Sequence, residues 1–275
     1  MPDLYTPTPA TRRSFLHRAT AAFGFAITLG TVASCVQATP TAPINGAEYR
    51  TLEKAQSTES GKKIEVTEFF WYSCPHCSAF EPTLADWVKK QGDNISFKRV
   101  PVAFRESFQP QQRLYYTLEA MGRADEMQKK VFNAIHVEHK SLDTDAAIAD
   151  FVAIQGLDRK KFVETYNSFG VQAKLRRAMQ LQEAYKVDGV PLIAIDGRYL
   201  TSPSIVGASL GRQPENVLQS STLQVMDWLV AKAAAERKTG GAGTSASTAP
   251  AATSTAPGAA ATATATQSAS IPVKK

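Results

Sequence analysis

The sequence predicts an α/β domain in which a strand–helix–strand unit and a strand–strand–helix unit are separated by a helical block. Three observations carry this. An apolar, β-branched run from Lys63 to Tyr72 leads straight into Ser73-Cys74-Pro75-His76-Cys77, and then into apolar residues at helical spacing. From Gln111 to Lys186 the periodicity is helical throughout. At Val190 to Ile195 strand character returns, and Asp196-Gly197 follows as a hairpin turn. This order of elements belongs to α/β architectures.

The chain has 275 residues, more than one domain of ordinary size needs. The surplus lies at the ends. Residues 1–38 have the pattern of an export signal. Arg12 and Arg13 precede Phe15-Leu16, and Ala19 to Ala33 is an uncharged, moderately apolar run with a small-residue exit. That run is shorter than the ~20 residues a bilayer span requires. The arginine pair resembles the twin-arginine signals that export folded proteins. Cleavage after Ala38 and lipidation of Cys35, in Val32-Ala33-Ser34-Cys35, are alternative processing sites. Either removes Cys35 from the folded domain as a free thiol. Residues 239–275 are almost entirely Ala, Thr, Ser, Gly and Pro, a composition unable to offset its ordering entropy by burial, so a disordered tail is expected.

The net charge of +6 comes from the same ends. Without Arg12, Arg13, Arg18, Lys274, Lys275 and Asp3 the body is nearly neutral. The basic balance therefore does not point to a nucleic-acid partner. Hydrophobic residues make up 43% of the chain, enough for a core. Three cysteines are too few for a disulfide-stapled scaffold.

Residues 43–238 form the body. Lys63 to Tyr72 ends in an unbroken apolar run, as a buried central strand does. Pro75 suits the first turn of the helix that follows, where its missing N–H costs nothing. Phe80, Leu84, Trp87 and Val88 give that helix its apolar face. Ile95 to Phe104 is a second strand, with Pro101 marking an edge or an end. The helical block, about 108–186, carries successive stripes. The first is Leu114, Leu118 and Met121, and the second Val131, Phe132 and Ile135. Ile148, Phe151 and Val152 follow, then Phe162, Val163 and Tyr166, then Leu175, Met179 and Leu181, with breaks at Gly156 and Gly170. Tyr199-Leu200 completes the hairpin. A last helix runs from about Pro214 or Asn216 to Lys238 with Val217, Leu218, Leu223, Val225, Trp228 and Leu229.

Cys74 and Cys77, two residues apart, could bind a metal or form a reversible disulfide. Their place at a helix N-terminus favours the second, because the free N–H groups and partial positive charge there stabilise a thiolate. Cys74, at the very end, is the expected exposed attacker. Cys77, one turn in, is the buried resolving thiol. His76, if protonated, would acidify Cys74 further. A zinc site would need His136 and His139 as well. Their Cys-x-x-Cys and His-x-x-His spacing permits one, but His136-Val137-Glu138-His139 has the pattern of a solvated helix face.

Glu68-Phe69-Phe70-Trp71-Tyr72-Ser73-Cys74-Pro75-His76-Cys77 with Phe80-Glu81, together with Gly189-Val190-Pro191 and Asp196-Gly197-Arg198-Tyr199, resembles the DsbA family of periplasmic thiol:disulfide oxidoreductases. The resemblance runs from about Tyr49 to Lys238. It implies a thioredoxin fold with an inserted helical domain. It also implies Cys74 as nucleophile, Cys77 as its partner, and Pro75 and His76 as the dipeptide that sets the redox potential. Pro191 would be a cis-proline facing them, with Val190 offering its backbone to substrate. Glu68 and Lys98 match the family's buried acid–base pair. No cofactor or metal is implied. The implied partners are reduced exported polypeptides and a DsbB-like membrane quinone reductase for reoxidation, and the implied state is a periplasmic monomer, soluble or anchored through Cys35. The Pro-His dipeptide and Val190 favour an oxidase over a reductase or isomerase, and no dimerisation domain fits in the chain. A non-catalytic peptide- or zinc-binding module is the reading from another class. The twin-arginine-like leader and the Ala/Thr tail depart from the family's usual pattern.

Overall fold

The computed structural model describes residues 42–240. The leader, Cys35 and most of the tail lie outside them. Five strands form one sheet in the order β1-β5-β4-β2-β3. They are β1 (Arg50–Thr51), β2 (Ile64–Phe70), β3 (Ile95–Pro101), β4 (Leu192–Ile195) and β5 (Tyr199–Thr201). β2 and β3 are parallel, joined over helix α1 (Pro75–Gln91). β4 lies antiparallel to β2, and β5 antiparallel to β4. All seven residues of β2 are buried, as befits a strand flanked on both sides.

Two strands stop short of the sequence expectation. β2 ends at Phe70 because the chain folds back there, with the Cys74 N–H bonded to the Trp71 carbonyl at 3.0 Å. β3 ends at Pro101: the Val102 N–H still reaches the Phe70 carbonyl at 2.8 Å, but the pairing with β2 goes no further. β3 is one of the two edge strands, β1 the other.

Between β3 and β4 the chain forms α2 (Gln109–Ala120), α3 (Ala124–His136), α4 (Asp145–Ile154), α5 (Arg159–Tyr166) and α6 (Phe169–Ala184). Thr144, Asp158 and Ser168 cap the last three by accepting backbone N–H bonds. The helices pack Leu114, Leu118, Val131, Phe132, Ile148, Phe162 and Leu175 into one core with Phe69 and Phe70 of β2. Met179, expected in the last stripe, is 48% exposed. Ala178 takes the inward position instead, one residue and about 100° earlier around the helix.

A second core covers the other face of the sheet. It joins Ile64, Val66, Ile193 and Ile195 to Phe80, Leu84 and Trp87 of α1, and to Val225, Met226 and Leu229 of α8 (Glu215–Gly240). β4 shows the division directly. Leu192 and Ala194 face the first core, Ile193 and Ile195 the second. Two elements were not expected from the sequence, the two-residue β1 and a short helix α7 (Pro203–Leu210).

The β4–β5 turn has positive φ at Asp196 (56°) and Gly197 (65°), the signature of a type I′ hairpin. Glycine is required at 197 for a second reason. A Cβ there would lie 2.2 Å from the Gln56 carbonyl oxygen.

Candidate active site

The fold brings Cys74, Pro75, His76 and Cys77 just beyond the C-terminal end of β2, with Cys74 against Val190. Cys74 caps α1 in extended geometry and Pro75 opens the helix. Both thiols are free. Cys77 has no exposed surface and Cys74 retains 7%. The expected attacker is thus the more accessible of the two cysteines, yet less open than a chain terminus suggests. Its cover includes the segment before β4. The Val190–Pro191 peptide is cis, and the Cys74 thiol donates to the Val190 carbonyl at 3.4 Å.

The two thiols differ in acidity. Cys74 is lowered to about 6. The largest cause is the hydrogen bond from the Cys77 thiol, followed by the N–H groups of Cys77 and His76, all against the opposing effect of burial. The charge of His76 is the smallest contribution, less than the sequence suggested. Cys77 is pushed up by burial first and by its bond to Cys74 second. One thiol is therefore held as thiolate at neutral pH and the other as thiol. The extra stability this gives the reduced pair is complete above about pH 9 and is lost as pH falls through about 6. Iodoacetamide should accordingly modify Cys74 with a half-maximal rate near pH 6. A midpoint near 8.5, that of a free cysteine, would refute this acidity.

Beneath the thiols lies a buried charged cluster. Arg99 donates from Nε to Glu68 at 2.9 Å and from Nη2 to Glu81 at 2.8 Å. Gln128 donates to Glu81 at 3.3 Å and accepts from the Tyr72 hydroxyl at 2.9 Å. Glu68 is fully buried with one oxygen unpartnered, and burial lifts its carboxyl to about 7 against the pull of Arg99. Lys98 is not its partner. The sheet register sets Glu68 beside Arg99, and Lys98 points to the opposite face, where it reaches Glu65 at 2.8 Å. A shift of one residue along a strand reverses the face.

The helical insertion holds the segment before Cys74. Gln111 accepts from the Ser73 N–H at 3.2 Å and donates to the Ser73 hydroxyl at 2.6 Å. His136 donates from Nε2 to the Tyr72 carbonyl at 2.8 Å. The expected solvated helix face is therefore wrong for His136. α3 ends there, and His139 lies beyond it, exposed, with φ of 54°. Among the described residues no group of three or more His, Cys, Asp or Glu is arranged to hold a metal.

A model of the DSBA-like thioredoxin domain matches residues 65–220. The chain belongs to this DsbA family. It is 44% identical over 205 residues to the thiol:disulfide interchange protein DsbA of Burkholderia cepacia, covering 74% of this chain and 92% of that protein. It is 39% identical over 193 residues to the DsbA of Pseudomonas aeruginosa, covering 70% and 87%. A crystal structure of Pseudomonas aeruginosa DsbA superimposes with a TM-score of 0.65 at 37% identity, covering 71% of this chain and 97% of that one.

Within this DsbA-like frame, sequence reasoning missed Arg99, Gln111, Gln128 and Glu215. Glu81 entered only as part of a motif, although it lies four residues after Cys77 and so on the same helix face. Choosing Arg99 over Lys98 needs the register with β2, and Glu215 meets His76 across 139 residues of chain.

Proposed function

We propose that Cys74 and Cys77 are the redox-active pair of a protein disulfide oxidase that hands its disulfide to reduced exported polypeptides. The chain is a thiol:disulfide oxidoreductase of disulfide formation, like the DsbA proteins it matches. The observation that carries the residue roles is the split in acidity between Cys74, which keeps 7% exposure, and Cys77, which keeps none. A substrate thiolate attacks the Cys74 sulfur of the oxidised pair. The Cys74–Cys77 bond breaks and Cys77 leaves, taking up a proton. A second substrate thiolate then attacks the substrate sulfur of the mixed disulfide and releases Cys74 as a thiolate. Two electrons pass from substrate to protein, and the substrate gains the disulfide. Release of a low-pKa thiolate drives the last step. Val190 and Pro191 would meet the incoming chain, because they border Cys74 and line a groove of about 730 Å³ with Ile205 and Leu218.

Reoxidation would fall to a DsbB-like membrane quinone reductase, and residues 1–38 would direct the protein to the periplasm. No described helix is long and apolar enough to cross a membrane. Titration against glutathione tests the reading. A reduction potential near about −120 mV, the value of DsbA itself, supports an oxidase, and one near about −270 mV, that of thioredoxin, overturns it.

A further inference from the structure

The groove beside Cys74 contains a charge pair that the thiol chemistry described above does not use. The Nδ1–H of His76, in the first turn of α1, donates to Glu215 Oε1 at 2.8 Å. Glu215 is the first residue of α8, where the positive end of the helix favours a carboxylate. The two helix N-termini are thereby tied together beside the groove, which His76, Glu215, Val190 and Pro191 all line. We infer that Glu215 is a positioning residue for the thiol chemistry: it holds the His76 ring by its Nδ1–H and governs how much positive charge His76 offers the Cys74 thiolate. The inference rests on Cys74 and Cys77 being the redox pair.

Two opposed effects follow from one contact. The carboxylate favours the imidazolium, so His76 stays cationic to higher pH. The direction agrees, since His76 is raised chiefly by this bond and further by the Cys74 thiolate, against a lowering by burial. The same carboxylate also cancels part of the cation's field at the thiolate. At low pH, where His76 is charged in any case, the cancellation is the net effect. At high pH, retention of the charge is. The other charged side chains lining the groove are Arg50 and Asp188, which face each other at 4.0 Å and add little net field. α7 contributes only Pro203, Ser204, Ile205 and Ala208 to the lining, none of them charged.

The test is the equilibrium with glutathione for wild type and Glu215→Gln at pH 6 and pH 8, with His76 followed by NMR titration. Removing Glu215 should make the protein more oxidising at the lower pH and less oxidising at the higher. Each change should be roughly 2–5-fold, the range of a partly exposed ion pair. The His76 titration should move down. In a His76→Asn background the same substitution should change the equilibrium in one direction only. A Glu215→Gln shift of the same sign at both pH values, or an unmoved His76 titration, overturns the inference. The potential of the unsubstituted protein reports separately on the redox pair, so the two readings fail independently. Both side chains are about half exposed or more, so the variants are expected to fold.

Discussion

Replacing Arg99 by leucine is expected to lower the stability of the fold by about 3–5 kcal/mol, the range for removing one partner of a buried ion pair. Arg99 is the one guanidinium facing both Glu68 and Glu81, and all three side chains are buried. Leucine would leave two carboxyls without a counter-charge in a site where Glu68 already has an unpartnered oxygen. The deficit should depend on pH. Burial raises both carboxyls above the ordinary range even with Arg99 in place, and without it they rise further. The folded state then holds protons that the unfolded chain releases above about pH 4.5. Stability therefore falls as pH rises from there until the folded carboxyls also ionise. Urea midpoints for wild type and variant should lie closest near about pH 4 and furthest apart near about pH 8. An equal deficit at both would show that lost packing, not charge, carries the loss. Arg99→Lys should fall between the two proteins, because an ammonium is a point charge and cannot present Nε and Nη2 to different carboxylates at once.

The same cluster shows what the sequence could and could not disclose. β2 was legible because its apolar run is unbroken, and α1 because Phe80, Leu84 and Trp87 keep a helical period. The Cys74 pair was legible because local order alone puts Cys74 at a helix end and Cys77 one turn inside. The partner of Glu68 was not. Lys98 and Arg99 are adjacent cations on a partly polar edge strand, and choosing between them requires the register with β2. Ridge-like periodicity was also absent from α7, whose only buried residue is Val206, and β1 is two residues long. His136 looked like a solvated residue because its acceptor, the Tyr72 carbonyl, is a backbone group 64 residues earlier, and backbone acceptors leave no trace in residue types. The thiol acidity divides likewise. The helix-end contribution and the bond from Cys77, one turn away, follow from local position, whereas the diversion of His76 to Glu215 is a tertiary fact.

Substitution at the two cysteines should separate attack from resolution. Cys74→Ser is expected to reduce oxidation of a dithiol peptide to background, because a hydroxyl is neither ionised at neutral pH nor able to form the disulfide. Cys77→Ala should behave differently. Cys74 would remain exposed enough to react with a small aromatic disulfide, and one equivalent of thiolate should be released per chain. The adduct should then persist, since no second thiol can displace it. In the wild type the adduct should be short-lived and a second equivalent should follow. Alanine is preferable to serine at 77 because the site is fully buried, and an unpartnered hydroxyl there would cost about 1–3 kcal/mol. Cys77→Ala also tests the origin of the Cys74 acidity. The hydrogen bond from the Cys77 thiol is the largest lowering influence on Cys74, ahead of the helix N–H groups and of His76. Its removal should move the alkylation midpoint of Cys74 upward from about 6, while the remaining backbone donors keep it below the free-cysteine value of ~8.5. A midpoint unchanged by the substitution would assign the acidity to the helix terminus instead. A rapidly resolved adduct would mean that another group attacks Cys74, and Cys77 would lose its role.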